Sequence, residues 1–381
     1  MLDFFFTLIS ASLLFGACTT LTPNDESAMQ QRGPATAGFP EFISLDTHVH
    51  IRHCSGRSPE AQLQKLFEQD HVEAIFGISN SFVNEPYLMD ATTCALYGFK
   101  PPTAAQVRQN ISILNKQLSA LSQKLKSKFY GLCGVNLWWS LDLIEDVVQE
   151  CLSLPGNIGI KLHFSVNKNI LSKSEPEPVS GLGQDLDMTD SSINKFRKLA
   201  SLVNKTGGVV LIHFANDLVQ HPTESYETQN TETELFLDVA NHNPNVNFVI
   251  AHAGMGQLIG IHGLNFLGNY YSKNPQVKRN IFVDISKLAY QISYPNHVLE
   301  HDTPAEQTAY ISFWKNNNEV VSALRNFSMQ YVLYGSDLSG ETEDWLPVLA
   351  LTLIPNFTED EKNLIFKKNG HRFLQMLKLQ D

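Results

Sequence analysis

Val209-Val210-Leu211-Ile212 is an unbroken apolar run, and His213 closes it. A strand with one wet face alternates apolar and polar residues. An unbroken run is buried on both faces, as in a parallel sheet covered by helices. The same form recurs on either side. Phe248-Val249-Ile250-Ala251 ends at His252, and Gly159-Ile160-Lys161-Leu162-His163 carries both a lysine and a histidine. Near the start, an apolar stretch from Phe42 ends in Asp46-Thr47-His48-Val49-His50. Strand alternation places His48 and His50 on one face, with Asp46 one step behind.

This pattern predicts strands at 43–51, 72–79, 129–137, 158–165, 208–215, 246–253, 280–287 and 331–337. Helix-period segments lie between them, near 59–69, 104–125, 141–153, 189–206, 231–242, 256–272 and 316–327. The tail carries further helices near 343–353, 359–368 and 370–378. Eight β-α repeats point to a closed (β/α)8 TIM barrel. An open doubly wound sheet is the alternative, but no Gly-x-Gly-x-x-Gly loop follows the first strand. Long segments follow strands at 80–103, 166–188, 216–230 and 288–315, which would build up the C-terminal face where barrel active sites lie.

A chain of 381 residues with 43% hydrophobic content can bury one large core. Its formal charge is −11 and no basic stripe appears, which argues against a nucleic-acid partner. The expected partner is a small-molecule substrate.

The N-terminus reads differently from the rest. Phe4 to Ala17 is apolar but too short to span a bilayer, and it ends in Phe15-Gly16-Ala17-Cys18. This resembles a bacterial lipoprotein signal, although Phe15 stands where leucine is usual and no lysine or arginine leads the segment. The resemblance implies a signal over 1–17, lipidation of Cys18, and a lipid-anchored protein of the bacterial cell envelope, periplasmic or surface-facing. Residues 18–40 then form a flexible tether, and 41–381 the barrel domain. An oxidising compartment would let Cys54 and Cys94 pair, while Cys133 and Cys151 read as small core residues. No Cys-x-x-Cys supports a thiolate zinc site.

On a barrel, His48, His50, Lys161, His163, His213, His252 and Asp337 all stand near C-terminal strand ends and converge on one mouth. Imidazoles and a carboxylate suit a divalent ion such as zinc, manganese or iron, with a position left open for water. The ion lowers the pKa of that water so that hydroxide exists near neutrality.

These landmarks, with Gly335-Ser336-Asp337 and Asn369-Gly370-His371-Arg372-Phe373, resemble the amidohydrolase superfamily over residues 43–378. Within it, the resemblance is to the amidohydrolase-2 type related to aminocarboxymuconate semialdehyde decarboxylase. It implies metal ligation by His48, His50, His213 and Asp337. It also implies a catalytic role for His252 and proton transfer by Asp337. In binuclear members the fourth-strand lysine is carbamylated and bridges two metals. Lys161 would then be a ligand; otherwise it would anchor a substrate carboxylate. The expected cofactor is a divalent metal, zinc first, as one ion or two. His163, Arg52 and Trp138 are further candidates for substrate contact, and Tyr290, Tyr294, His297 and His301 for a lid.

The implied activity is hydrolysis of an amide, ester or lactone bond by metal-bound hydroxide. Non-oxidative decarboxylation of an aromatic or enoic carboxylate is the enzymatic alternative. A non-catalytic surface-binding lipoprotein is the alternative outside catalysis.

Overall fold

The computed structural model describes residues 42–51, 59–68, 71–79, 104–135, 137, 139–163, 192–213, 226–254, 260–286, 317–336, 338–339 and 356–378. Strands and helices alternate along them. The strands are β1 (Asp46–His50), β2 (Ile75–Ile78), β3 (Phe129–Val135), β4 (Asn157–His163), β5 (Val209–His213), β6 (Asn247–Ile250), β7 (Ile281–Asp284), β8 (Val332–Leu333) and β9 (Leu338–Ser339). The helices are α1 (Pro59–Glu68), α2 (Ala104–Leu125), α3 (Leu141–Ser153), α4 (Ser192–Thr206), α5 (Tyr226–His242), α6 (Gly260–Lys273), α7 (Asn317–Phe327), α8 (Glu359–Asn363) and α9 (Asn369–Met376).

The sheet runs in the order β8-β7-β6-β5-β4-β3-β2-β1-β9. Every pairing is parallel. β8 pairs with β7 and β9 pairs with β1, so the two short pieces act as one eighth strand that closes a (β/α)8 barrel. The continuous strand expected over 331–337 is therefore corrected. Met329–Tyr331 is a 3-10 turn, and between the two pieces the chain leaves the ladder. There the Tyr334 carbonyl accepts from the Thr47 amide at 3.1 Å and the Thr47 hydroxyl at 2.8 Å. The Ser336 amide donates to Asp46 Oδ1 at 2.9 Å. Side chains of β1 complete the seam where backbone pairing switches partner.

The alternation within strands explains the unbroken apolar runs. In β5, Val209 and Leu211 face the barrel interior with Phe76, Leu132, Val249, Phe282 and Leu333. Val210 and Ile212 face outward into the layer shared with the helices, beside Phe196, Phe236 and Phe248. Burying about 25 cal/mol per Å² of apolar surface on both faces favours this arrangement over a one-sided sheet. β1 departs from strict alternation. Asp46 pairs with Ile75 and Val49 with Gly77, so Thr47 and His48 together oppose one residue of β2. This bulge moves Val49 into the outer layer although Leu45 lies in the inner one.

The N-terminal mouth is plugged. Phe373 of α9 sits 4.6 Å from the Phe282 ring and 5.9 Å from Phe76. Asn369 anchors the helix by donating to the carbonyls of Met329 and Val332 at 2.8 and 2.7 Å. Gly370 lets it approach, since a Cβ there would strike Ser44 Oγ and lie 2.8 Å from Leu45 Cβ. The two tail helices expected over 359–368 and 370–378 are one run, in which a π-helical turn at Leu364–Lys368 joins α8 to α9.

Cys133 and Cys151 are buried core residues, but they are not free thiols: they form a disulfide between β3 and α3. α3 folds back over its own strand and brings the two Cα atoms to 6.2 Å, within bridging range. Cys54 and Cys94 lie outside the described residues, as do Met1–Pro40 and the 343–353 helix. No described helix is long and apolar enough to cross a membrane.

Candidate metal and active site

The residues that carry chemistry gather where the strands end. His48 and His50 lie on β1, and their rings are 5.2 Å apart. Lys161 lies on β4 and is buried, with its Nζ 3.0 Å from His48 Nε2. His213 closes β5, and its Nδ1 is 2.9 Å from His252 Nε2. The His48 and His252 rings stack at 5.0 Å, while His213 meets His252 edge-on at 4.7 Å. Three strands and the turn after a fourth thus bring together two polar pairs, Lys161 with His48 and His252 with His213, joined by the stacked His48 and His252 rings.

His252 was expected inside a strand over 246–253. β6 instead ends at Ile250, and Ala251–Gly254 form a single turn. His252, Ala253 and Gly254 have φ of 56°, 52° and 68°. Left-handed backbone costs a non-glycine residue about 1–2 kcal/mol, so neighbours must hold it. The His252 amide donates to Asp284 Oδ1 at 2.9 Å, and its Nδ1 lies 2.9 Å from the Ser286 carbonyl. The turn swings the imidazole over the mouth rather than along the strand.

Asp284, the last residue of β7, and Ser286 just beyond it were not singled out from the sequence. Asp284 Oδ2 lies 3.2 Å from His48 Nδ1. Its Oδ1 accepts from the His252 amide at 2.9 Å, the Ser286 amide at 3.0 Å and the Ser286 hydroxyl. Burial works to raise this carboxyl, but His48, His252 and the hydrogen bonds outweigh it and hold it at about 2. Asp46 goes the other way. Burial pushes it up to about 7, against hydrogen bonds from Ser336 and His48 and with repulsion from Asp284. The available signal for Asp284 was its place: it closes the apolar run Ile281-Phe282-Val283 as His213 closes its own.

His48, His252 and Asp284 offer ligand atoms all within 4.8 Å of one another, and all three are buried. Nitrogen and carboxylate donors at that spacing can hold a divalent ion. His163 pairs with His213 in backbone register, and its side chain lies outside the described residues. So do Asp337, Arg52, Trp138, Tyr290, Tyr294, His297, His301 and Cys18.

An amidohydrolase family model matches residues 46–376. The chain belongs to the amidohydrolase family. It is therefore an enzyme, metal-dependent in the manner of that superfamily. No curated protein matches the sequence. Among solved structures, 2,6-dihydroxybenzoate decarboxylase from Rhizobium is similar at 14% identity and a TM-score of 0.48, covering 89% of this chain and 99% of that one. The 5-carboxyvanillate decarboxylase of Novosphingobium aromaticivorans, solved with manganese, is similar at 10% identity and a TM-score of 0.49, over 88% and 96% of the two chains. A Pseudomonas putida protein provisionally assigned as 2-pyrone-4,6-dicarboxylic acid hydrolase is similar at 9% identity and a TM-score of 0.46, over 90% and 100%.

Proposed function

We propose that the protein is a metal-dependent hydrolase that cleaves an amide, ester or lactone bond in a small molecule. The observation that carries this is the line of contacts at one barrel mouth: Lys161 to His48 at 3.0 Å and His252 to His213 at 2.9 Å, with His48 and His252 stacked between. Buried imidazoles in mutual contact, without a thiolate among them, suit zinc, manganese or iron far better than calcium or magnesium. Zinc is the ion we favour, as one per chain, held by His48, His50, His213 and Asp337. When bound, it lends Lewis acidity to a substrate oxygen and to water.

The chain's own residues supply the rest. Asp337 would take and return the proton. His252 would act on the substrate, its ring carried over the mouth by the turn after β6. The burial of His48, Lys161 and His252 excludes solvent from their contacts and strengthens each of them. Lys161, His163, Arg52 and Trp138 are the proposed substrate contacts. Decarboxylation is the second reading. It is favoured by Lys161, a buried amine beside the metal histidines that suits a substrate carboxylate. A carbamylated Lys161 with two ions is the binuclear form.

Purified protein should retain a divalent ion and turn over members of a mixed panel of amides, esters, lactones and aromatic carboxylates. Release of acid or of carbon dioxide separates hydrolysis from decarboxylation. Full metal occupancy in a His48→Ala/His50→Ala double variant would remove the assignment. Two ions per chain with a carbamylated Lys161 would select the binuclear form.

We also propose export to the bacterial cell envelope with a lipid on Cys18. The Cys133–Cys151 disulfide supports it, because such bonds persist in oxidising compartments. Lipid attachment that survives Cys18→Ala, or recovery of the chain from cytosol with Met1 in place, would overturn this.

A further inference from the structure

We infer that Asp284 and Ser286 form a brace that holds His48 and His252 in the Nδ1–H tautomer, leaving their Nε2 lone pairs on the side of the mouth. This deepens the metal-dependent reading and rests on it for its functional consequence.

The donors His48, His252 and Asp284 enclose a point, and the structure shows what fills it. Ser286 Oγ lies 3.0 Å from His48 Nδ1 and 2.9 Å from His252 Nδ1, and it donates to Asp284 Oδ1. An ion among these atoms would have to displace a buried hydroxyl. Asp284 is also held at both oxygens. Oδ1 takes the His252 amide, the Ser286 amide and the Ser286 hydroxyl, and Oδ2 takes His48. A carboxylate offers about four lone-pair sites, two on each oxygen, so Oδ1 is fully engaged and Oδ2 already holds His48.

The hydrogen-bond chemistry then sets each proton. Three donors on Oδ1 favour the ionised carboxylate, which can only accept at Oδ2. His48 must therefore carry its proton on Nδ1, and its Nε2 carries the lone pair. The Lys161 contact at Nε2 is compatible with this, because its Nζ carries protons to donate. His252 faces a backbone carbonyl, which also only accepts, so its proton too is on Nδ1. Its Nε2 then accepts from His213 Nδ1, which turns the His213 Nε2 pair outward as well. One carboxylate and one serine at the end of β7 thus orient three imidazoles. Asp284 is a positioning residue, and a carboxylate that fixes a ligand histidine is worth about 10–100-fold in metal affinity.

The test uses histidine-labelled protein and zinc. Long-range 1H–15N correlation of the metal-free protein reads each tautomer, with peaks assigned by single histidine variants. His48 and His252 should both appear as Nδ1–H imidazoles. In Asp284→Asn, the amide oxygen replaces Oδ1 and the amide NH2 faces His48 Nδ1, so His48 should turn over to Nε2–H. Zinc affinity should then fall about 10–100-fold while circular dichroism is unchanged. Ser286→Ala keeps the backbone carbonyl, so His252 should stay Nδ1–H and zinc affinity should fall less. An Nε2–H tautomer at His48 in the wild type would overturn the inference. So would Asp284→Asn binding zinc as tightly as wild type, or losing zinc wholly with the His48 tautomer unchanged, which would make Asp284 a ligand. If wild-type protein binds no zinc, the function proposed above fails. The tautomers still decide the brace.

Discussion

At the scale of single residues, the site is close-packed as well as polar. Gly335 shows this. A Cβ there would lie 3.1 Å from His48 Cβ, 3.1 Å from Ser286 Cβ and 3.2 Å from Asp284 Cγ. Gly335→Ala should therefore push on the brace and on His48 together. Overpacking of this kind costs about 1–3 kcal/mol, and zinc affinity should fall with it. Thermal unfolding and a zinc titration check both, and an unchanged protein on both counts would show that the seam yields. His252 invites a different substitution. Its left-handed φ of 56° is one that asparagine tolerates, so His252→Asn should fold. We expect that variant to keep its ion and lose at least 100-fold in turnover, or roughly 2.7 kcal/mol of transition-state stabilisation. Metal content and rate on one preparation measure this; halved metal would point to the binuclear site instead.

At the scale of elements, two devices hold the barrel that presents these residues. The Cys133–Cys151 disulfide ties β3 to α3 across 18 residues of chain. Replacing both cysteines by alanine should cost about 3 kcal/mol, read as a lower denaturant midpoint, with zinc affinity unaltered. A wild-type midpoint would mean that packing alone secures the pair. The second device is α9. Phe373 closes the N-terminal mouth against Phe282 and Phe76, on the far side of the barrel from the histidines. Phe373→Ala should cost about 3–5 kcal/mol in stability and leave zinc affinity intact, since its ring packs on Phe76 and Phe282. Loss of zinc affinity at low temperature, with the fold intact, would contradict that separation.

At the scale of the whole molecule, stability and the site are linked through the ion. A ligand that binds only the folded state stabilises by mass action, about 2.7 kcal/mol at a hundredfold excess over its dissociation constant. Chelation should lower the melting temperature of the wild type and leave that of a His48→Ala/His50→Ala variant where it is. Equal shifts in both would place the ion elsewhere. The barrel itself makes this coupling possible. The eighth strand reaches β7 through β8 and β1 through β9, and the seam between them runs over Asp46, Thr47 and Ser336, beside His48.

Much of this was open to the sequence, because the signals are local. Unbroken runs such as Val209–Ile212 report burial on both faces, and the residues that close them, His50, His163 and His213, end their strands as expected. The eight β-α repeats and most of the polar residues at their ends follow from that periodicity. What only the tertiary structure decided are pairings between distant residues. Asp284 meets His48 across 236 positions, and no period in either segment announces it. Asp284 closes an apolar run as the histidines do, yet its bonds to His48 and to the His252 amide exist only once the barrel brings β1 and the turn after β6 to the end of β7; the two from Ser286 are local. The turn that lifts His252 off its strand needs the same carboxylate, because strained backbone persists only where neighbours over-determine it. The Cys133–Cys151 bond belongs to the same class: composition marks both as core residues, and only the return of α3 over β3 brings them within reach.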